Sequence, residues 1–330
     1  MIITMAHGSG GAFTSELIDE IFVKEFDNET VKELEDCAVI PGSKKIAMTT
    51  DSFVVKPIEY PGGDIGRLCI CGTVNDLLMR GAKAKYITCG FIIEEGADSE
   101  TLKRIVHSMA ETAKEAGVII VAGDTKVIDG NGGIMINTAG VGFVEEGLDI
   151  NSRNLTPGDL VILSGNLGDH HATILGSRMN ITNSIKSDNA PLTDIVSNLL
   201  KEKINIHTMR DVTRGGLATV LTELSRSSRV DIKLEEGKIP VSNAVRDFCG
   251  LLGLDPLYMG NEGKCIIVVP KNESVKALEI IRNSKYGENA IVIGEVKEMA
   301  EDKACVYIET EIGGKRILDV LQGEGLPRIC

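Results

Sequence analysis

Five aspartates lie inside or at the ends of apolar segments, where an ionised side chain is unfavourable. They are Asp51, Asp64, Asp76, Asp124 and Asp211. A carboxylate in such a segment is costly unless it is paired, protonated or bound to a metal. Carboxylates together with nucleotide phosphates are ligands that suit Mg²⁺. The set therefore predicts a magnesium and phosphate site, with Asn75 and Thr125 as polar neighbours. Helix capping or turn formation explains any single aspartate equally well, but it explains the whole set poorly.

A glycine-rich segment, His7 to Gly11 (HGSGG), immediately precedes a predicted helix over 12–26. Glycines let backbone N–H groups converge on an anion, and the helix start adds a positive dipole end. This pattern predicts a phosphate cradle that includes His7, Gly8, Gly10 and Gly11. The alternative is an ordinary glycine-rich turn in which His7 is a capping side chain.

Lys126 and Glu262 stand in two other glycine-containing turns, AGDTK and GNEGK, at predicted strand ends. A lone Lys or Glu is usually a solvated surface residue. Ligands of α/β proteins, however, gather at the ends of strands. Both residues are therefore candidates for the same ligand site.

The eight cysteines show no CxxC pair and no histidine at ligand spacing, which disfavours a zinc site. They are Cys37, Cys69, Cys71, Cys89, Cys249, Cys265, Cys305 and Cys330. Most lie in apolar runs, where a reduced cysteine is a small buried hydrophobe, so we expect a cytoplasmic protein. Cys330 ends the chain. It is either an incidental terminal residue or a carrier thiol on a flexible tail, whose last seven residues reach roughly 24 Å when extended.

Composition excludes several classes of partner. The 330 residues carry a net charge of -13, only 4% are aromatic and none is Trp. Nucleic-acid binding favours clustered cations and stacking aromatics, so we expect no nucleic acid. No apolar run reaches the roughly 20 residues that span a bilayer, so we expect no membrane either. Proteins and small molecules remain as partners.

Helical and extended patterns alternate along the whole chain, which predicts a mixed α/β fold. The expected helices include 12–26, 63–82 and one that opens at Asp211, and the expected strands include 46–55 and 160–165. A polar segment with Pro157 and Gly158 predicts a domain boundary at 151–159. We therefore divide the chain into an N-terminal loop and helix (1–40), a first domain (41–150), a second domain (151–318) and a flexible tail (319–330).

Several stretches together resemble the HypE family of hydrogenase maturation factors, in order and over nearly the whole chain. This family of carbamoyl dehydratases belongs to the ATP-dependent superfamily of aminoimidazole ribonucleotide synthetase and selenophosphate synthetase. The matching stretches are MAHGSGG, TTDSFVVKPIEYPGGDIGRLCICGTVNDLLMRGAKAKY, CGFIIEEG, AGDTKV, INTAG, SGNLGDHHATIL, RDVTRGGLATVLTE, LLGLDPL, NEGK and PRIC.

The resemblance implies a two-domain fold like that of aminoimidazole ribonucleotide synthetase, a dimer through the first domain, and ATP with Mg²⁺ in the cleft between the domains. It assigns metal and phosphate binding to Asp51, Asp76, Asp124 and Asp211. The segment from His7 to Gly11 matches a mobile N-terminal loop. Asp64, Asn75 and Thr125 are expected to contribute to cofactor binding.

The resemblance also implies a reaction and its partners. Cys330 matches the thiol that receives a carbamoyl group from HypF. ATP-dependent dehydration converts that group to a thiocyanate, and the cyanide passes to the HypC–HypD complex for the iron of [NiFe] hydrogenase. Lys126 is expected to neutralise charge during phosphoryl transfer, and Glu262 to act as a base or to orient the amide.

Three other functions compete with this interpretation. Selenophosphate synthetase normally works through a Cys or selenocysteine in the N-terminal glycine-rich loop, and HGSGG has neither. Aminoimidazole ribonucleotide synthetase has no use for a terminal Cys. A non-catalytic dimeric carrier would use Cys330 alone and would leave the acidic residues unexplained.

Overall fold

The computed structural model describes residues 2–8, 12–33, 37–38 and 40–321. Gly10, Gly11 and Cys330, which the sequence places in functional roles, lie outside these residues. So does most of the predicted tail.

A four-stranded sheet forms the first half of the molecule, in the order β1-β6-β4-β5. Its strands are β1 (Ile46–Phe53), β4 (Lys83–Glu94), β5 (Ile119–Ile128) and β6 (Ile134–Phe143). Only β4 and β5 are parallel, and the other neighbours are antiparallel. Strands β2 (Glu59–Tyr60) and β3 (Gly63–Asp64) make a separate two-stranded ribbon. The edge strands β1 and β5 are thus the two most distant strands of the sheet.

Two long helices pack on one face of this sheet. Helix α4 (Ile65–Leu78) is apolar on nearly every side and almost fully buried, as expected of a helix between two layers. Helix α5 (Ser99–Ala116) has one apolar face, begins at the Asp98 cap and ends at Gly117 in the left-handed region. The short N-terminal helices are α1 (Ala12–Leu17), α2 (Lys24–Phe26) and α3 (Glu29–Lys32), with a π-helical turn at Ile18–Val23. This π turn interrupts the single helix predicted over 12–26.

A seven-stranded sheet forms the second half, in the order β13-β12-β9-β11-β7-β10-β8. Its strands are β7 (Leu160–Leu163), β8 (Thr208–Asp211), β9 (Asp231–Glu235), β10 (Cys265–Val269), β11 (Ile291–Lys297), β12 (Val306–Glu309) and β13 (Lys315–Leu318). Its helices are α6 (Asp169–Arg178), α7 (Thr193–Lys201), α8 (Gly216–Ser228), α9 (Asn243–Leu252) and α10 (Ser274–Asn283). Buried residues of both halves, such as Leu77 and Ile267, share one hydrophobic cluster.

Two predicted helix starts move in the structure. Asp211 ends strand β8, and α8 begins five residues later, because Gly215 and Gly216 both have positive φ. A Cβ atom on Gly216 would lie 2.5 Å from the Leu257 carbonyl oxygen, so the backbone turns where only glycine fits. Asp64 caps α4 from strand β3, and the predicted helix over 63–82 therefore starts at Ile65.

Within the described ranges, no helix combines the length and apolar character needed to cross a membrane.

Candidate functional site

A cavity of about 490 Å³ lies between the two sheets, with walls from β1, α4, β8 and α8. Its charged lining is Asp51, Asp76, Asp211, Glu223, Glu262, Arg80, Arg210 and Arg214. Four of these acids belong to the predicted site, although they come from distant parts of the chain.

The elements around the cavity bring three of the predicted aspartates to one place. Asp76 lies on α4 and faces β1, where the Thr49 hydroxyl donates to its carboxylate at 2.8 Å. Asp51 lies on β1 and accepts from the Ser52 N–H at 2.8 Å. Asp211 ends β8 opposite Cys265 of β10. One domain thus supplies two carboxylates and the other supplies the third.

These carboxylates repel one another. Burial and the charge of Asp76 raise the pKa of Asp211 to about 6. Burial, together with the charge of Asp51, also raises the pKa of Asp76. Crowded acids whose ionised forms destabilise each other create a place where a cation would relieve the repulsion.

The donor set fits Mg²⁺. Carboxylate oxygens are hard ligands, and Mg²⁺ is usually held by one or two of them together with phosphate and water oxygens. In the described part of the chain, no three Asp, Glu, His or Cys side chains already converge as a metal-binding group. A magnesium ion here would therefore depend on phosphate oxygens or water to complete its coordination.

Glu262 lies in the turn before β10 and is 6% exposed. Burial is the main cause that raises the pKa of its carboxyl well above the usual range, and the charges of Asp188 and Asp211 add to it. Among the described residues, no hydrogen bond or ion pair holds this carboxyl. A buried acid that faces a cavity without a partner is suited to proton transfer or to binding an amide.

Three arginines in the cavity wall were missed by the sequence reasoning. The Arg80 guanidinium donates to the Ile150 carbonyl at 2.8 Å, and Arg210 approaches Glu223 at 3.5 Å. Arg214 lowers the pKa of both Asp76 and Glu262 through its charge. Two of the three flank Asp211 in RDVTRGG, which is the one signal that points to them.

The structure of one chain does not bring Asp124, Thr125 and Lys126 to this cavity. Asp124 and Lys126 form an ion pair on β5, with both carboxylate oxygens 2.9 Å from the ammonium nitrogen. In the strand register, Asp51 pairs with Thr138, Thr138 with Cys89, and Cys89 with Gly123. Asp51 and Gly123 therefore share one face of the sheet. Asp124, the next residue, lies on the opposite face. Asp51 and Asp124 also lie on opposite edge strands, about 14 Å apart at the usual strand spacing.

Asp124 and Thr125 instead line a second cavity of about 260 Å³, between the N-terminal helices and strands β4 and β5. Its other walls are largely apolar, with Phe22, Phe26 and Phe91 among them. The predicted metal set is thus divided between two places in a single chain.

Asn75 has its polar atoms occupied by protein partners. Its amide donates to the carbonyls of Ala190 and Glu262 at 3.1 and 3.4 Å, and its oxygen accepts from the Leu192 N–H at 2.9 Å. Asp64 accepts from the Arg67 N–H at 2.8 Å as the cap of α4. Direct contact of these two residues with a nucleotide stays a prediction, whereas their structural contacts are evident.

His7 forms part of a 3-10 turn over Met5–Gly8. Its Nδ1 accepts from the Thr4 N–H at 3.1 Å, and its ring centroid lies 5.5 Å from that of Phe13. These contacts match the capping alternative, and phosphate binding by His7 and Gly8 stays a prediction.

The fold and the cavity define a class of protein. The chain matches the model of the AIR synthase related protein N-terminal domain over residues 34–144, and that of the C-terminal domain over residues 156–305. Thiamine monophosphate kinase from Aquifex aeolicus has the same fold, with a TM-score of 0.64, 20% identity, and coverage of 91% of this chain and 99% of the kinase. The predicted two-domain mixed α/β fold is confirmed.

Relatives within this class are much closer. Carbamoyl dehydratase HypE of Cupriavidus necator is 45% identical over 99% of this chain and 95% of its own length, and that of Escherichia coli is 42% identical over 99% and 98%. A crystal structure of hydrogenase maturation protein HypE in complex with ATP superposes with a TM-score of 0.96 at 43% identity, and covers 99% of both chains. The chain belongs to the carbamoyl dehydratase HypE family. The predicted ATP-dependent carbamoyl dehydratase of hydrogenase maturation is thus confirmed at the level of the family.

Proposed function

We propose that this chain uses ATP to dehydrate a carbamoyl group on Cys330 to a thiocyanate, which supplies the cyanide ligand for [NiFe] hydrogenase. The observation that carries the proposal is the cavity, where crowded acids from both domains face the same space as Glu262, whose carboxyl has no partner in the described part of the chain. Family membership supplies the reaction, and the cavity supplies groups suited to it.

The chemistry requires an activated oxygen. Hydroxide is a poor leaving group from the thiocarbamate S–C(=O)–NH₂. The carbonyl oxygen therefore attacks the γ-phosphorus of ATP, the bond to the β-phosphate oxygen breaks, and ADP leaves. Loss of one N–H proton accompanies this step. The C–O bond then breaks with phosphate as leaving group, the second N–H proton is lost, and S–C≡N remains.

The residues of the cavity divide this work. Glu262 accepts a proton from the carbamoyl nitrogen, and its raised pKa makes the ionised form a stronger base. Asp51, Asp76 and Asp211 are the residues that would hold Mg²⁺ beside the phosphates. When bound, this ion would neutralise the charge of the transferred phosphoryl group. The Lys126 ammonium has the charge suited to the same phosphates, and the Asp124 carboxylate has the charge suited to their Mg²⁺.

A homodimer through the first domain would change the surroundings of Asp124 and Lys126. The face of the four-stranded sheet opposite its helices exposes apolar side chains, such as Met48 (69% exposed), Ile46 (51%) and Ile119 (46%). Asp124 and Lys126 share this face by register. A second copy packed there would bury the apolar surface and place both residues at a subunit interface.

That interface is testable. Met48→Asp should convert the dimer to a monomer in sedimentation experiments, because it places a charge in the buried face. Ile312→Asp is the matched control, since Ile312 is 96% exposed but lies in the second domain. A dimer that survives Met48→Asp would contradict this arrangement.

The partners follow from the reaction. HypF would load the carbamoyl group, and a solved structure described as a HypE–HypF complex, 47% identical over 92% of this chain with a TM-score of 0.80, supports this. The HypC–HypD complex would receive the cyanide. A cytoplasmic location agrees with the free thiols of all seven cysteines in the described residues.

Intact-mass measurement tests the function. The full chain, incubated with HypF and its carbamoyl donor and then with ATP and Mg²⁺, should gain a carbamoyl group and then lose one water. Cys330→Ala should show neither change and should still bind nucleotide. The matched control is Cys37→Ala, an exposed cysteine that should leave both changes intact. Adduct formation without ATP-dependent water loss would favour the non-catalytic carrier.

A further inference from the structure

The turn that bears Glu262 is held by a buried carboxylate from another part of the second domain. Asp188 lies in the loop between α6 and α7, and its side chain is 3% exposed. Its two oxygens accept from the backbone N–H groups of Glu262 and Gly263 at 3.2 and 3.3 Å. The Lys264 ammonium lies 3.5 Å from the same carboxylate. One acid thus binds three consecutive residues.

The backbone fits around this contact without spare room. A Cβ atom on Gly263 would lie 1.9 Å from the Asp188 carbonyl oxygen, so only glycine allows the approach. The Glu262 carbonyl is held from the other side, where it accepts from the Ala190 N–H and from the Asn75 amide, both at 3.4 Å. The backbone of Glu262 is therefore clamped, whereas its carboxyl group faces the cavity and has no hydrogen-bond or ion-pair partner within the described ranges.

We propose that Asp188 is a positioning residue for the dehydration, which holds the turn of Glu262 so that the Glu262 carboxyl meets the carbamoyl nitrogen. This inference rests on the proposed role of Glu262. Misplacement of a catalytic group by about 1 Å can slow a reaction about 100-fold, so the clamp has a direct effect on rate.

Asp188 also affects the charge state of Glu262. The ionisable groups that face Glu262 are Asp51, Tyr60, Cys71, Asp188, Asp211 and Arg214. Asp188 is itself faced by Lys264, Asp169 and His170. Of the charges around Glu262, that of Asp188 contributes most to its raised pKa after burial. Removal of that charge should therefore lower the pKa at which Glu262 loses its proton.

The test uses full-length protein carbamoylated by HypF and measures the rate of water loss in a single turnover with ATP and Mg²⁺, over a range of pH. Asp188→Asn should slow this step by about 10- to 100-fold and move the acidic limb of the rate profile to lower pH. Asp188→Glu keeps the charge but displaces the acceptors. It should slow the step without moving the profile.

Two comparisons separate positioning from general stability. In the Glu262→Gln background, Asp188→Asn should add little further loss, because both changes act on the same group. Asp255→Asn is the matched control, since Asp255 also accepts from a backbone N–H and pairs with a cation, but outside the cavity wall. It should leave rate and profile unchanged.

The outcomes are distinct. If Asp188→Asn slows the wild-type and Glu262→Gln backgrounds by the same factor, or if it behaves like Asp255→Asn, the inference is wrong. If the carbamoylated wild-type protein shows no ATP-dependent water loss, the proposed function is wrong instead. If Glu262→Gln retains the full rate, the assignment of Glu262 to the site is wrong.

Discussion

Two groups of polar side chains lie between the same two halves of the molecule, and they differ in how well the protein compensates their charges. In the first group, at the interdomain contact, Arg67 donates to Glu115 and to the Asn189 carbonyl, and Glu115 also accepts from Lys285 and Tyr286 of the second domain. In the second group, which lines the cavity, Asp76 and Asp211 repel each other and Glu262 has no partner among the described residues.

The pKa directions express this difference. Although burial opposes it, hydrogen bonds from Lys285, Tyr286 and Arg67 lower the pKa of Glu115 to about 2, so folding favours its ion. In the cavity, burial raises the pKa of Asp211 to about 6, so folding disfavours that ion. Polar groups that stabilise the fold are satisfied by the protein. Those in the cavity retain unfavourable charges that a ligand can relieve.

The largest effect expected from this comparison is on catalysis. Asp211→Asn should reduce ATP-dependent water loss by at least about 100-fold, because it removes a carboxylate that would hold Mg²⁺ beside the phosphates. It should leave the free energy of unfolding unchanged or slightly higher, because it also removes repulsion with Asp76. Single-turnover mass measurements and urea denaturation check both parts.

The control variant, Asp231→Asn, should show the opposite combination of effects on rate and stability. Asp231 is a buried acid of the second sheet that accepts from the Ala300 and Cys305 N–H groups. Asp231→Asn should lower stability and retain the rate per folded molecule. Full activity in Asp211→Asn would remove that residue from the site.

Removal of a side chain from the interdomain contact should instead lower stability. Asn75→Ala should lower the free energy of unfolding by about 3 kcal/mol, because it removes the partner of the buried Ala190 carbonyl and Leu192 N–H and one of two bonds to the Glu262 carbonyl. Asn154→Ala, which removes a bond to the Asp149 carbonyl at a more exposed site, should cost less than about 1 kcal/mol. Urea denaturation measures the loss of unfolding free energy in each variant. Equal losses would show that Asn75 does not join the domains.

A smaller and pH-dependent effect is expected at Glu115. Glu115→Gln should lower stability by about 2 kcal/mol at neutral pH, since a hydrogen bond to a charged group is lost. The pKa of Glu115 is depressed in the folded protein from its ordinary 4.5, so its contribution is present above that pH and is lost as the pH falls toward about 2. The gap between wild type and variant should close over this range.

Urea denaturation at several pH values measures that gap. The control is Glu111→Gln on the same helix, whose solvent-exposed pair with Lys114 should contribute much less than the Glu115 contact. A gap that stays constant as the pH falls would rule out the ionised Glu115 as its source.

Much of the fold was predictable because its signals are local. The burial of α4 follows from its continuous apolar run, and α5 follows from its one-sided periodicity, the Asp98 cap and Gly117. The helix predicted at Asp211 was placed too early, since Gly215 and Gly216 both have positive φ and the turn at Gly216 depends on its packing against 257–258. The π turn at Ile18–Val23 has no comparable local signal.

For the site, residue types and motifs in the sequence determined which acids are candidates and which family the chain resembles, because an acid in an apolar segment is costly wherever that segment lies. Only the tertiary structure decided which candidates meet. Asp51, Asp76, Asp211 and Glu262 converge because β1, α4, β8 and the turn before β10 border one cavity, whereas Asp124 and Lys126 lie on the far edge of the first sheet. Asp188 gave no chemical signal in the sequence, because its role depends on a loop that folds back on a turn more than 70 residues away. Spacing along the chain carries no information about such contacts, since they are set by the packing of the two sheets.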